Sequence, residues 1–264
     1  MAILLNADNE LDAFYLLLNH IKSKGFKSNR YLEVSNCLLS INYDRNRFDD
    51  FILFKERYFS SVGETANISW KRAIRVYTTY SDRITKPSYL KRLRNYKELY
   101  NDEIIEVDQI ENIIYELSMK PGYSLLTFSI FRPIDLVKKQ RPGYVPCPVV
   151  GDFKFRKGEL QLNVFFRSHD ALNFCYPDIY FLRKLQKYVL YESQKVTENK
   201  TLLKGKVGSL NLHFSRVFLP LRMEMKKGVY VNGKEVEGII NRLKRNLLTS
   251  IRNSNESFKE IEKA

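Results

Sequence analysis

The strongest constraint in this sequence is a series of strand-like segments between residues 124 and 219, broken once by a long helical stretch. SLLTFSIF (124–131) reads as one strand, and residues 152–166 read as a hairpin turning at Lys157-Gly158. Residues 178–192 form a mostly buried helix through Ile179, Leu182, Leu185 and Val189. GSLNLHFSRVFL (208–219) alternates like a strand. Upstream, Leu11, Phe14, Leu18 and Ile21 share one face of a helix over 10–24, ended by Gly25. A strand follows at 31–43, then a helix over 48–61 with Gly63 behind it. Ile110, Ile113, Ile114 and Leu117 define a helix over 106–119, stopped by Pro121 and Gly122. Residues 64–103 give no clear reading. A second hairpin is expected over 228–236 around Asn232-Gly233. A helix carrying Ile240, Leu243, Leu247 and Ile251 forms a tail near 238–264. The mixture implies an α+β fold in a single domain spanning 1–264, its helices packed on a large sheet.

Size and charge narrow the function classes. A chain of 264 residues with 44% hydrophobic and 13% aromatic content buries a core and is not disordered. No apolar run reaches the roughly 18–20 residues of a membrane span. The start, MAILLNADNE, lacks the pattern of a secretion signal, and Cys37, Cys147 and Cys175 form no C-x-x-C pair. The expectation is a cytoplasmic protein with reduced thiols and no metal site. The net charge of +14 attracts polyanions, from nucleotides to nucleic acid. Its basic residues are scattered and match no DNA-reading motif, so nucleic acid is possible but not favoured.

The chemistry concentrates in residues 146–186. Pro146-Cys147 opens a strand, and twenty residues after the cysteine Arg167-Ser168-His169-Asp170 closes a hairpin. Ten residues beyond Arg167, Pro177-Asp178 opens a helix, with Asp178 as a possible N-cap. A guanidinium near a thiol offers a fork for phosphate and favours the thiolate.

These elements resemble the thymidylate synthase superfamily. Pro146-Cys147 is similar to its catalytic cysteine, Arg167-Ser168-His169-Asp170 to its phosphate-binding Arg-Ser-x-Asp, and Pro177-Asp178 to its base-reading position. Gly208-Ser209-Leu210-Asn211-Leu212-His213 resembles the strand that holds the sugar. Lys55-Glu56-Arg57-Tyr58 through Gly63-Glu64-Thr65 resembles the helix bearing the catalytic glutamate. The resemblance implies a large mixed β-sheet packed with helices, with one sheet face used for homodimerisation. It also implies 5,10-methylenetetrahydrofolate as one-carbon donor and a pyrimidine nucleoside monophosphate as substrate.

In that chemistry a thiolate from Cys147 adds to C6 of the pyrimidine and makes C5 nucleophilic, while Glu56 handles protons. Arg167, Ser168, Asp170, Asp178, Asn211 and His213 bind substrate, and Trp70 and Phe174 face the folate. Uracil-using members place asparagine at the Asp178 position. Cytosine reverses the hydrogen-bond pattern, so aspartate favours cytosine. Asp178-x-x-Phe181 and Leu185-Gln186 look like the cytidylate hydroxymethylase branch, where water completes the reaction.

Several positions depart from the family pattern. Ser124-Leu125 stands where a phosphate-binding arginine pair is usual, Pro148 follows the cysteine, Phe166 precedes Arg-Ser, and Asn211 and His213 replace a histidine and tyrosine. Arg45, Arg47, Arg132 and Arg141 are candidates to supply the missing phosphate contacts. The alternative expectation is a catalytically diverged member that binds nucleotide or nucleic acid within a larger assembly.

Overall fold

The computed structural model describes residues 2–28, 31–49, 51–52, 71, 73–78, 88–137, 145–220 and 241. Glu56, Gly63, Trp70, Arg141, the Asn232-Gly233 hairpin and the tail near 238–264, except residue 241, lie outside these residues.

The sheet is built around one long strand. In chain order the elements are β1 (Ile3–Ala7), α1 (Glu10–Lys24), β2 (Phe26–Ser28) and β3 (Tyr31–Ile41). Then come α2 (Tyr89–Arg94), β4 (Tyr96–Tyr100), β5 (Glu103–Val107), α3 (Gln109–Met119), β6 (Thr127–Ser129) and a 3-10 turn at Pro133–Leu136. The last group is β7 (Pro148–Arg156), β8 (Glu159–Phe166), β9 (His169–Asp170), α4 (Ala171–Val196), α5 (Lys200–Leu203) and β10 (Lys206–Pro220). The main sheet runs β1-β3-β10-β8-β7-β6, with β2 beside β3 and β9 beside β10. It is mixed: β1 is parallel to β3 and β10 to β8, whereas β3–β10, β8–β7 and β7–β6 are antiparallel.

Period-two alternation gives this sheet two unlike faces. Leu39, Ile41, Leu162, Val164, Leu210, Leu212 and Phe214 point into the core, under α1 and α4. The opposite face carries two parallel rows of side chains. One row, paired strand to strand, reads Leu4, Leu38, His213, Phe165 and Val150. The next reads Asn6, Ser40, Asn211, Asn163, Asp152 and Thr127. In this polar row Ser40 Oγ donates to Asn211 Oδ1 (2.7 Å), and Asn211 Nδ2 donates to Asn163 Oδ1 (2.8 Å).

Local signals explain most of the boundaries. Asn9 caps α1, accepting from the Leu11 and Asp12 amides, both at 3.0 Å. Lys157 (φ 52°) and Gly158 (φ 79°) form the two-residue, both-left-handed turn that suits the β7–β8 hairpin. Three expectations shift. Within 124–131 the regular strand is Thr127–Ser129, with flanking backbone hydrogen bonds at Leu126, Ile130 and Phe131. Glu106 and Val107 belong to a strand, and α3 starts after Asp108, whose side chain accepts from Glu111 N at 2.9 Å. The long helix starts at Ala171 rather than at Asp178, capped by Asp170 and with Pro177 inside it.

α4 is fixed to the sheet by a buried ionic cluster. Arg183, fully buried, donates from Nε to Glu10 Oε1 (2.6 Å) and from Nη1 to Gln186 Oε1 (2.6 Å) and Gly208 O (2.8 Å). Its Nη2 reaches Ile41 O and Asn42 O, each at 3.2 Å. Gln186 Nε2 in turn donates to Leu160 O at 2.6 Å. One helical turn thus meets α1, β3, β8 and β10 together. Burial raises the Glu10 carboxyl and lowers Arg183, each opposed by the other's charge.

Candidate active site

Cys147 stands immediately before β7, opposite the end of β8. Its carbonyl accepts the Arg167 amide at 3.1 Å, which sets the two residues side by side. The Arg167 guanidinium holds the segment leading to the cysteine, donating from Nε to Pro146 O (3.1 Å) and from Nη2 to Val145 O (2.9 Å). Arg167 itself is exposed, whereas Ser168 is half-buried.

Among the three thiols only Cys147 keeps partial solvent access. Protein still surrounds the sulfur, and burial pushes the thiol up to about 12. Asp178 and Asp170 add to that rise, and Arg167 opposes it. Arg167 favours the thiolate, as its charge leads one to expect, but burial outweighs it and the resting group is a thiol.

Two carboxyls, Asp170 and Asp178, bear on the thiol, and Phe174 shares a helix face with the second. Asp170 caps α4, accepting from Asn173 N (3.2 Å) and Asn173 Nδ2 (2.8 Å), and burial raises its carboxyl to about 6. Phe174 is partly buried against the core and lies four residues before Asp178, on the same side of the helix. Asp178 is 1% exposed, and burial raises it to about 8, so it is protonated at neutral pH. A hydrogen bond from Tyr77 opposes that rise. Asp178 is thus no helix cap, because Asp170 fills that role two turns earlier.

The structure adds two residues that the sequence did not single out. His169 occupies the open position of Arg-Ser-x-Asp and is buried with its Nδ1 3.4 Å from Asp178 Oδ2. Its ring stacks on Phe214 (4.8 Å) and meets Phe166 edge-on (5.0 Å), and burial lowers it to about 3, so it is neutral. Phe166, a departure from the family pattern, here supplies one wall of the histidine's slot. Tyr77 stacks on Tyr89 at 4.1 Å, and both rings meet Phe181 edge-on. Nothing in the spacing marks His169, and Tyr77 falls within the stretch 64–103 that carried no readable period.

Other expected site residues are placed elsewhere. Asn211 and His213 lie on the outer sheet face, away from the core side where His169 and Asp178 meet. His213 Nε2 is 3.0 Å from Asn36 Oδ1. Among the described residues, the charges bearing on Cys147 are those of Asp178, Arg167 and Asp170. Arg47 instead acts on Asp12 of α1. The Arg132 guanidinium lies 5.4 Å from the Tyr96 ring centroid. Glu56 lies outside the described residues. The chain leading toward it is tied to α4, because the Tyr176 hydroxyl donates to Phe51 O (3.0 Å) and Ile52 O (3.1 Å).

A mixed sheet under long helices, with a semi-exposed cysteine before one strand and a buried carboxyl on the helix behind it, is compatible with a thymidylate synthase-like fold. No protein-family model matches the chain. Curated relatives do match over part of it. A protein of Methanosarcina acetivorans named "Putative thymidylate synthase" is 38% identical over 104 residues, covering 39% of this chain and 42% of the relative. Proteins of the same name from Methanosarcina barkeri and Methanococcoides burtonii are 35% and 33% identical, with the same shares covered. The chain thus spans less than half the length of these relatives. The likeness supports the thymidylate synthase superfamily. Among the described residues no helix is long and apolar enough to cross a membrane, and no group of His, Cys, Asp and Glu is arranged to hold a metal ion.

Proposed function

We propose that the protein transfers a one-carbon unit to C5 of a pyrimidine nucleoside monophosphate, with a cytidylate preferred. The observation that carries the reading is the Asp178 carboxyl, 1% exposed on α4 and close enough for its ionised form to raise the Cys147 thiol. A neutral carboxyl offers one acceptor and one donor. Cytosine presents an amino donor at N4 and an acceptor at N3, and matches it. Uracil presents an acceptor at O4 and a donor at N3, and meets like with like only while the carboxyl proton stays on the oxygen that faces N3. Rejection of a mismatched partner in a dry site is worth more than the gain from a matched one, because buried groups are left unpaired.

The rest of the chemistry follows from nucleophilic addition. Once Glu56 has taken the thiol proton, Sγ of Cys147 bonds to C6, and the displaced electron pair moves toward N3, where the Asp178 proton receives it. With 5,10-methylenetetrahydrofolate bound as one-carbon donor, C5 would take its methylene group, the C5 proton and the tetrahydrofolate amine would leave, and addition of water or hydride to that methylene would expel the Cys147 thiolate. Hydroxymethyl is the product where water completes the reaction and methyl where hydride does. Phe174, on the same side of α4 as Asp178, offers a ring for the folate, and Glu56 is the proposed proton carrier. The Leu4–Leu38–His213–Phe165–Val150 row is the proposed seat of a second copy. A monomer by sedimentation equilibrium would remove that element of the proposal.

The decisive measurement is tritium release from C5-labelled dCMP, CMP and dUMP, with and without the folate. Folate-dependent release is expected from a cytidylate, lost in Cys147→Ser, and its preference over dUMP should fade as pH rises past about 8. A second reading rests on the resting Cys147 thiol, which nothing described here deprotonates, and on the +14 charge. It makes the protein a non-catalytic nucleotide or nucleic-acid binder. Nucleotide binding without tritium release, unchanged in Cys147→Ser, would favour it.

A further inference from the structure

Two buried polar groups meet behind Cys147 in a space otherwise lined by aromatic rings. Neither nitrogen of His169 has a well-aligned hydrogen bond among the described residues, and the side chain that bonds Asp178 there is Tyr77. Yet Nδ1 and Oδ2 stand 3.4 Å apart, with side-chain exposures of 0% and 1%. Leaving a buried imidazole without a well-aligned partner is costly, and fold stability offers no reason for it. Phe166 and Phe214 hold the imidazole ring, so its orientation is fixed by packing and not by hydrogen bonds. The arrangement suits a group kept in place for a contact that a ligand completes, since such bonds are often long before the ligand binds.

We propose that His169 is a positioning residue for base selection, and that its Nδ1–H marks Oδ2 of Asp178 as the carbonyl oxygen and leaves Oδ1 to carry the proton. This rests on the cytidylate reading above. A free carboxylic acid can carry its proton on either oxygen. Only one of the two arrangements sets the acceptor beside N4 and the hydroxyl beside N3. A donor at Oδ2 selects it, because that oxygen has one lone pair for the imidazole and one for the amino group, and no room for a proton. The other titratable groups facing Asp178 among the described residues are Tyr77, Cys147 and Cys175. Tyr77 arrives from the helical stretch 73–78, and neither thiol is ionised at neutral pH.

The test compares wild type, His169→Phe and His169→Asn by tritium release from dCMP, CMP and dUMP between pH 6 and 9, with folding checked by near-UV circular dichroism. Phenylalanine keeps the aromatic slot filled and removes the donor, whereas asparagine restores an N–H. In His169→Phe the ratio of kcat/KM for cytidylate over uridylate should fall by ~10-fold, the loss of one well-placed hydrogen bond. The pH at which cytidylate preference fades should also rise, because a donor that favours the carboxylate is gone. Asparagine should recover most of the ratio. A folded His169→Phe that keeps both the ratio and the pH limb of a discriminating wild type overturns the inference alone. A wild type that releases tritium from none of the three nucleotides overturns the underlying reading and the inference with it.

Discussion

Asp178 and His169 carry opposite pH signatures. The Asp178 carboxyl, normally near 3.8, is raised to about 8 by burial, so the folded chain binds its proton more tightly than the unfolded chain does. Its contribution to stability is fully present below the unfolded value and is lost as pH rises toward 8. His169, lowered from 6.5 to about 3, works the other way, costing stability as pH falls below 6.5. Asp178→Asn removes the first dependence and leaves the second. The variant should therefore gain on wild type by up to about 1.4 kcal/mol per pH unit between pH 4 and 8, and stay level above that. Urea denaturation of both proteins at pH 5, 6.5 and 8 measures the difference. A gap that does not widen with pH would mean that Asp178 is ionised in the folded protein. The catalytic candidates were legible at this scale because Pro146-Cys147, Arg167-Ser168 and Pro177-Asp178 are close in sequence. His169 and Tyr77 were not, since what marks them is a shared neighbour reached through tertiary packing.

Elements with strong local punctuation were read closely. α1 matches its expected span because Asn9 and Gly25 bracket a clean apolar period, and the Lys157-Gly158 turn sets the β7–β8 hairpin. α4 was misjudged because Pro177 looks like a helix opener. Asp170 had already capped the helix, and burial of Ala171, Leu172 and Cys175 outweighs one missing amide donor. The β4–β5 hairpin was missed because charged residues blur its alternation, although Asn101 and Asp102 both adopt positive φ at its turn. Close contact between elements is sharpest at Gly151, where a Cβ would lie 2.4 Å from Phe128 Cζ on the neighbouring strand. Phe128 is 1% exposed and has little space to yield. Gly151→Ala should cost about 1–3 kcal/mol in thermal or chemical unfolding. A variant as stable as wild type would show that the Phe128 ring swings aside freely.

At the scale of the whole molecule, the ionic cluster around Arg183 holds helix and sheet together. Replacing Arg183 by methionine leaves Glu10 buried without its cation, and the expected loss is about 3–5 kcal/mol in urea unfolding. A loss under about 1 kcal/mol would show that Glu10 is already neutral in the folded chain. An α+β fold with a large sheet was legible from the order of periods. The strand order was not, because β3 and β10 pair across more than 160 residues and nothing local specifies that partnership.

Arg183 lies five residues beyond Asp178, about a turn and a half along α4. The helix is thus clamped near its middle, with Asp178, the proposed base-reading carboxyl, buried a short arm away. A small tilt at the clamp becomes a displacement at Asp178, and its clamping partner Glu10 comes from the first helix of the chain. On the proposed reading of Asp178, substitutions in α1 that leave the fold intact would surface as errors in substrate choice.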